Sequence, residues 1–323
     1  MPNAWIVRPH QMHNPRARAK LERSELKILA KGDSWFSTGS FPVCNMLQQM
    51  QFSKTACIVN LAIPGDPVAA MSERIQKGED EFSLQVGAPG ARRWDAILLS
   101  GGGNDLIDAL PSLLRTGIES ECASDYVDSQ ALHALQQGIR ASYSRIVGFR
   151  DRADSPNRGV PIFVHTYDYT TPSSAPARIY NLLAVTGPWL CPRMRGVPPH
   201  LRTALSNYLL DRVAQTLCSL QATLPNFIVI DTRGTLRGVA PETSSRCGDW
   251  ENEIHPSRAG YRKLAPLVAG VVDQHLCRKA TVARPAEVSL PAPEDAVAFR
   301  LFCADATGML ARNPHAGILP SFP

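Results

Sequence analysis

Apolar residues along the chain fall into two kinds of run. Short, nearly unbroken stretches occur at Leu26–Ala30 (LKILA), Thr55–Leu61 (TACIVNL), Asp95–Ser100 (DAILLS), Pro161–His165 (PIFVH) and Asn226–Asp231 (NFIVID). The first three lead into turns containing glycine or proline, as strands buried on both faces do. Between the runs, longer segments repeat apolar residues every three or four positions. Leu201, Leu205, Leu209, Val213, Leu217 and Leu220 form one such stripe, and Leu132, Leu135, Ile139, Tyr143 and Ile146 a second. Tyr261, Leu264, Val268, Val271 and Val272 form a third, behind a Pro256-Ser257 start suited to capping a helix. Phe41–Phe52 also has helical content. Strands alternating with helices predict one doubly wound α/β domain, a three-layer α/β/α sandwich around a mostly parallel, flavodoxin-like sheet of about five strands.

That domain is read over residues 26–279. Residues 1–25 read as a basic, Arg-rich arm, and residues 280–323 as a Pro/Ala-rich tail. Residues 170–199, rich in Pro, Gly, Ser and Arg, interrupt the alternation; they read as a lid or substrate insertion, or else as a surface excursion. With 44% apolar and 20% charged residues among 323, the chain is neither disordered, collagen-like nor a coiled coil. A net charge of +5, without a clustered Lys/Arg stripe, gives no reason to expect a nucleic-acid partner. No apolar run approaches the roughly 18–20 residues of a membrane-spanning helix. The N-terminus has no continuous apolar core of a signal peptide, so a cytoplasmic location is expected, with its eight scattered cysteines reduced. No two of them form a CxxC pair, and His10 and His13 lack a third ligand, so no metal is expected. The oligomeric state is left open.

In an open α/β sheet, ligands gather beyond the carboxyl ends of the strands. Four segments there carry chemistry: Gly32-Asp33-Ser34-Trp35-Phe36 after the first run, Asn60 to Asp66 after the second, Gly101-Gly102-Gly103-Asn104-Asp105 after the third, and Asp249 to Pro256 before the last helix. A hydroxyl attacks well only when a base takes its proton, and the oxyanion it creates needs donors. Ser34 is the candidate nucleophile and His255 the candidate base. The Gly65 N–H, the Asn104 side-chain amide and the Ser34 N–H are the candidate oxyanion donors. A glycine at 65 lets a ligand come close to the backbone. Taken singly, each has a plainer reading: Ser34 as a helix cap, Gly65 and Asn104-Asp105 as turns, His255 as a helix-start residue. Asp33 and Asp105 read as loop-holding carboxylates, and His165 as a core histidine. Trp35 reads either as a wall of the acyl site or as packing.

With those segments in this order, the chain resembles the SGNH (GDSL-type) hydrolases over about residues 26–276. Gly32-Asp33-Ser34 matches the block that carries the family's nucleophile. Gly65 in NLAIPGD looks like its second-block glycine, Gly102-Gly103-Asn104-Asp105 fits the block whose Asn donates to the oxyanion, and His255-Pro256 is similar to the block of the base. The resemblance implies the SGNH fold and cleavage of a small-molecule carboxylic ester through Ser34 and His255, with no cofactor. The family usually has an Asp three residues before the His, where this chain has Asn252. Asn252 is the expected orienter of His255, with Asp249, Glu251, Glu253 or a backbone carbonyl as alternatives. The departure keeps two other readings open: a catalytically silent protein that binds an acylated or glycan ligand, and an acyltransferase using the same serine.

Overall fold

The computed structural model describes residues 1–37, 44–88, 90–179 and 183–282. In chain order these form β1 (Trp5–Val7), α1 (Pro15–Arg23), β2 (Leu26–Lys31), α2 (Ser34–Ser37), β3 (Ala56–Asn60), α3 (Val68–Lys77), α4 (Glu81–Gly87), β4 (Ala96–Leu99), α5 (Gly103–Leu113), α6 (Ser129–Arg150), β5 (Ile162–His165), β6 (Ala177–Ile179), β7 (Leu183–Thr186), α7 (Arg202–Gln221), β8 (Phe227–Ile230) and α8 (Arg258–Val282). All five apolar runs are strands. They lie side by side, all parallel, in the order β3-β2-β4-β5-β8, the flavodoxin-like arrangement.

A sixth parallel strand was not foreseen. Residues 1–25, read as an arm, supply both α1 and β1, and Trp5, Ile6 and Val7 pair with Cys57, Ile58 and Val59 of β3. Three residues are too few to show a period in sequence, yet they suffice to cover the otherwise open edge of β3. Inside the 170–199 segment, β6 and β7 form a separate antiparallel hairpin. The helical reading of Phe41–Phe52 gives way, over its described residues, to a single 3-10 turn at Leu47–Gln49. Residues 41–43, residues 180–182 of the 170–199 segment and everything beyond Val282, which includes the tail apart from its first three residues, lie outside the described residues. The chain divides into one unit over Met1–Cys277 and another over Arg278–Pro323, of which only the end of α8 is described. Among the described residues no helix is long and apolar enough to cross a membrane.

Alternation along the strands shows how the layers stack. Ile162 of β5 is level with Phe227 of β8, whose ring packs against Tyr143 of α6 at 5.5 Å. Phe163 points the other way and meets His275 of α8 at 5.4 Å. α6 therefore covers one face and α8 the other, which is why strands read as unbroken apolar runs. β2 and β4 are neighbours whose onward connections run to opposite sides, so a crevice opens beyond their carboxyl ends.

One charge is buried at that crevice. Lys31, the last residue of β2, is 1% exposed; its ammonium lies 2.9 Å from Asp80 and 3.5 Å from Asp66. Arg74 reaches the same two carboxylates, at 2.6 Å from Asp66 and 3.6 Å from Asp80. The cluster ties the end of β2 to the turn that holds Gly65. Removing one partner of such a pair leaves a desolvated charge. Asp80 also caps α4 through the Phe82 N–H at 2.9 Å. Asp80→Ala is therefore expected to lower stability by about 3–5 kcal/mol, read from urea unfolding followed by circular dichroism.

Candidate active site

Beyond β2 the chain must turn sharply beside β4. A Cβ at Gly32 would stand 2.6 Å from Ser100 Cβ and 2.7 Å from its carbonyl oxygen, so only glycine fits. The next residue, Asp33, is 1% exposed and its carboxylate organises the turn. One oxygen accepts the Trp35 N–H at 3.0 Å and the Ser100 hydroxyl at 2.8 Å. The other accepts the Tyr167 hydroxyl, and the Asn104 amide Nδ2 lies 3.5 Å from it. Asp33 thus fixes α2, at whose first position Ser34 stands, together with the candidate oxyanion donor Asn104. Asp105 holds a different junction, accepting the Val68 and Ala69 N–H groups at the start of α3 at 2.8 and 3.1 Å.

Ser34 Oγ lies 2.7 Å from His255 Nε2, across 221 residues of sequence. On the far side of the ring, Asn252 Oδ1 lies 3.0 Å from Nδ1 and also accepts the backbone N–H groups of Ile254 and His255, at 3.1 and 3.0 Å. Two backbone N–H donors converging on one atom identify it as the amide oxygen. Nδ1 therefore carries the hydrogen, and Nε2 is left as an acceptor for the serine proton. Asn252 Nδ2 is buried and meets no acceptor. The three nearby carboxylates turn elsewhere. Asp249 accepts the Arg237 N–H at 2.9 Å and Lys263 Nζ at 2.6 Å, and Glu251 faces Arg246 at 3.4 Å.

Glu253 has a task that no local pattern reveals. Its buried carboxylate accepts the backbone N–H groups of Ser173, Leu190 and Cys191 at 3.0, 2.8 and 2.7 Å, and that of Trp189 as well. These partners lie 62 to 80 residues away, beyond the reach of any local pattern. Burial still raises this carboxyl above its ordinary pKa, against the pull of the four donors. The anchored segment places Trp189 edge-on to the His255 ring, centroids 5.3 Å apart. Enclosed in this way, His255 is desolvated and its pKa is pushed down to about 4.

His165 is a core histidine, as expected. Its Nδ1 lies 2.8 Å from the Thr166 carbonyl and its Nε2 2.9 Å from Ser100 Oγ, and burial lowers its pKa. Trp35 both packs in the core and borders open space. It stacks on His165 at 5.4 Å, donates through Nε1 to the Ile254 carbonyl at 3.2 Å, and lines a cavity. That cavity, about 40 Å³, runs from Ser34, Gly103 and Asn104 between α5 and α7. Gly65 stands apart from its lining, in an exposed turn with φ of 75° that a side chain would strain. Among the described residues no group of three or more His, Cys, Asp or Glu is placed to hold a metal ion.

The model of the GDSL-like lipase/acylhydrolase family matches residues 32–263. Among solved structures, the chain is similar to the native aryl esterase of M. smegmatis, at 12% identity over 77% of this chain and 99% of that one, with a TM-score of 0.45. It is also similar to an acetylxylan esterase from Geobacillus stearothermophilus, at 16% identity over 77% and 94%, with a TM-score of 0.41. No curated protein matches it in sequence.

The depressed His255 pKa makes stability depend on pH. Between about 4 in the folded chain and 6.5 in the unfolded one, only the unfolded state binds the proton. Stability therefore falls as pH drops through that window, with His255 contributing about 3 kcal/mol of the fall. Urea unfolding between pH 4 and 7 should show a loss smaller by this amount in His255→Ala, the part due to His165 remaining.

Proposed function

Because the chain belongs to the GDSL-like lipase/acylhydrolase family, we propose that it is a serine esterase acting on a carboxylic ester through Ser34 and His255. The observation that carries this reading is the 2.7 Å contact between Ser34 Oγ and an unprotonated His255 Nε2. In the first step Oγ bonds to the ester carbonyl carbon while its proton passes to Nε2. The resulting oxyanion is met by the Asn104 amide, with the Ser34 and Gly65 N–H groups as further donors. Collapse expels the alcohol, which takes the proton from Nε2. Water, deprotonated by the same nitrogen, then attacks the acyl-serine; the acyl–Oγ bond breaks, Oγ takes the proton back from Nε2, and the acid is released.

Asn252 holds the ring in the tautomer this sequence of transfers needs. It brings no full negative charge to the imidazolium that forms at each step. With a His255 pKa of about 4, the base is free throughout the neutral range, at some loss of basicity. The same absence of charge motivates the second reading, a protein that binds an acylated or glycan ligand without turning it over. An acyltransferase would share the first half-reaction and deliver the acyl group to an alcohol or sugar.

The deciding experiment is hydrolysis of p-nitrophenyl esters, run beside labelling with a fluorophosphonate. Ser34→Ala and His255→Ala are expected to lose about 10⁴-fold or more in kcat, and Ser34→Ala to lose the label. Asn104→Ala is expected to lose about 10²–10³-fold. A wild-type chain that neither turns over nor labels would favour the binding protein, and partitioning of product to an added alcohol would favour the transferase. Asn252→Asp places a carboxylate against Nδ1, so the acid limb of the kcat/KM profile should move up from about pH 4 by a unit or more.

A further inference from the structure

The cavity beside Ser34 is lined mostly by apolar side chains. Leu106, Ile107 and Leu110 of α5 form one wall; Leu209 and Leu210 of α7 with Met194 form another. The spacing explains the walls: residues four apart on α5, and Ser206, Leu209 and Leu210 on α7, project from one side of each helix. Among the described residues, no Lys, Arg or His lines it. The carboxylate of Asp33 in its lining is already engaged by Trp35, Ser100 and Tyr167. Its two hydroxyls in the far wall, Thr170 and Ser206, bond each other at 2.9 Å. A charged acyl group or a sugar would give up its water there with little in return, whereas methylene groups gain by entering.

Which half of an ester enters follows from the proton. The leaving oxygen must meet His255 Nε2, and His255 is not part of the cavity lining, while Asn104 is. The carbonyl oxygen therefore faces the Asn104 end, the acyl chain continues between α5 and α7, and the alcohol departs on the His255 side. Size then limits the chain. On the measure by which one water needs about 10–15 Å³, a cavity of about 40 Å³ holds about three water-sized groups. We propose that this cavity is the acyl site and that it selects a short, unbranched aliphatic acyl group of about four carbons. The inference rests on the esterase reading above.

The test is kcat/KM of the full chain on p-nitrophenyl acetate, butyrate and octanoate. Each methylene buried is worth about fourfold, the fold-change that ~0.8 kcal/mol produces, so butyrate, with two more methylenes, should exceed acetate by about fifteenfold. Octanoate should fall below butyrate. Ile107→Phe and Leu210→Trp, which fill the cavity from opposite walls, should each reduce the butyrate-to-acetate ratio about tenfold. A wild-type ratio of one or less, octanoate as the best ester, or a ratio unmoved in both variants while Ser34 still carries the activity would overturn the inference. An absence of Ser34-dependent turnover on all three esters overturns the esterase reading itself, and this inference with it.

Discussion

Much of the site depends on one buried carboxylate. Asp33 lies in the crevice where β2 and β4 part, and its two oxygens gather a backbone N–H, two hydroxyls and the neighbourhood of an amide. Those donors come from four places in the chain: the first turn of α2, the end of β4, the start of α5 and the segment after β5. A parallel sheet brings such segments to one end but does not fix their side chains. Burying a negative charge there does, because every donor that could solvate it is drawn to the same point. The helix that begins at Ser34 and the amide beside the cavity are thereby referred to a common atom pair.

A second carboxylate does the equivalent work on the other side of Ser34. Glu253 takes four backbone N–H groups from the segment between β5 and α7, and so joins the histidine loop to one wall of the cavity. Between the two carboxylates stands His255, whose own partner is uncharged. The negative charges near Ser34 are thus spent on architecture, and the imidazole is left neutral and dry. A chain that placed its charge on the ring instead would have a stronger base and a different pH range.

How much of this could be read in the sequence follows from the range of each interaction. The five long strands and α6, α7 and α8 were legible because burial on both sheet faces writes a local period into the chain. Ser34, Asn104, Asn252 and His255 were legible because each sits in a short block at a strand end or helix start, where few structural demands compete. β1 was hidden by its length, since three residues carry no period. α3, α4 and α5 were hidden by brevity and by the glycines and polar residues at their starts. Glu253 was hidden for a deeper reason: a glutamate beside a histidine looks like a candidate for the ring, and only the fold shows it turned toward N–H groups 62 to 80 residues away. The lone amide hydrogen-bonding partner of Nδ1 was suggested by its position three residues before the histidine, but its orientation was not.

The Glu253 anchor also has an order in time. A ribosome delivers Ser173 and the 189–191 segment before it delivers the carboxylate that will hold them. Until residue 253 has emerged, that segment and the cavity wall it carries have their N–H groups in water and nothing to gather them. Strands β1 to β5 can already be paired by then, since each is complete upstream. The nascent domain can therefore acquire its sheet before the anchored segment beside His255, and that enclosure is complete only when nearly the whole unit has been made.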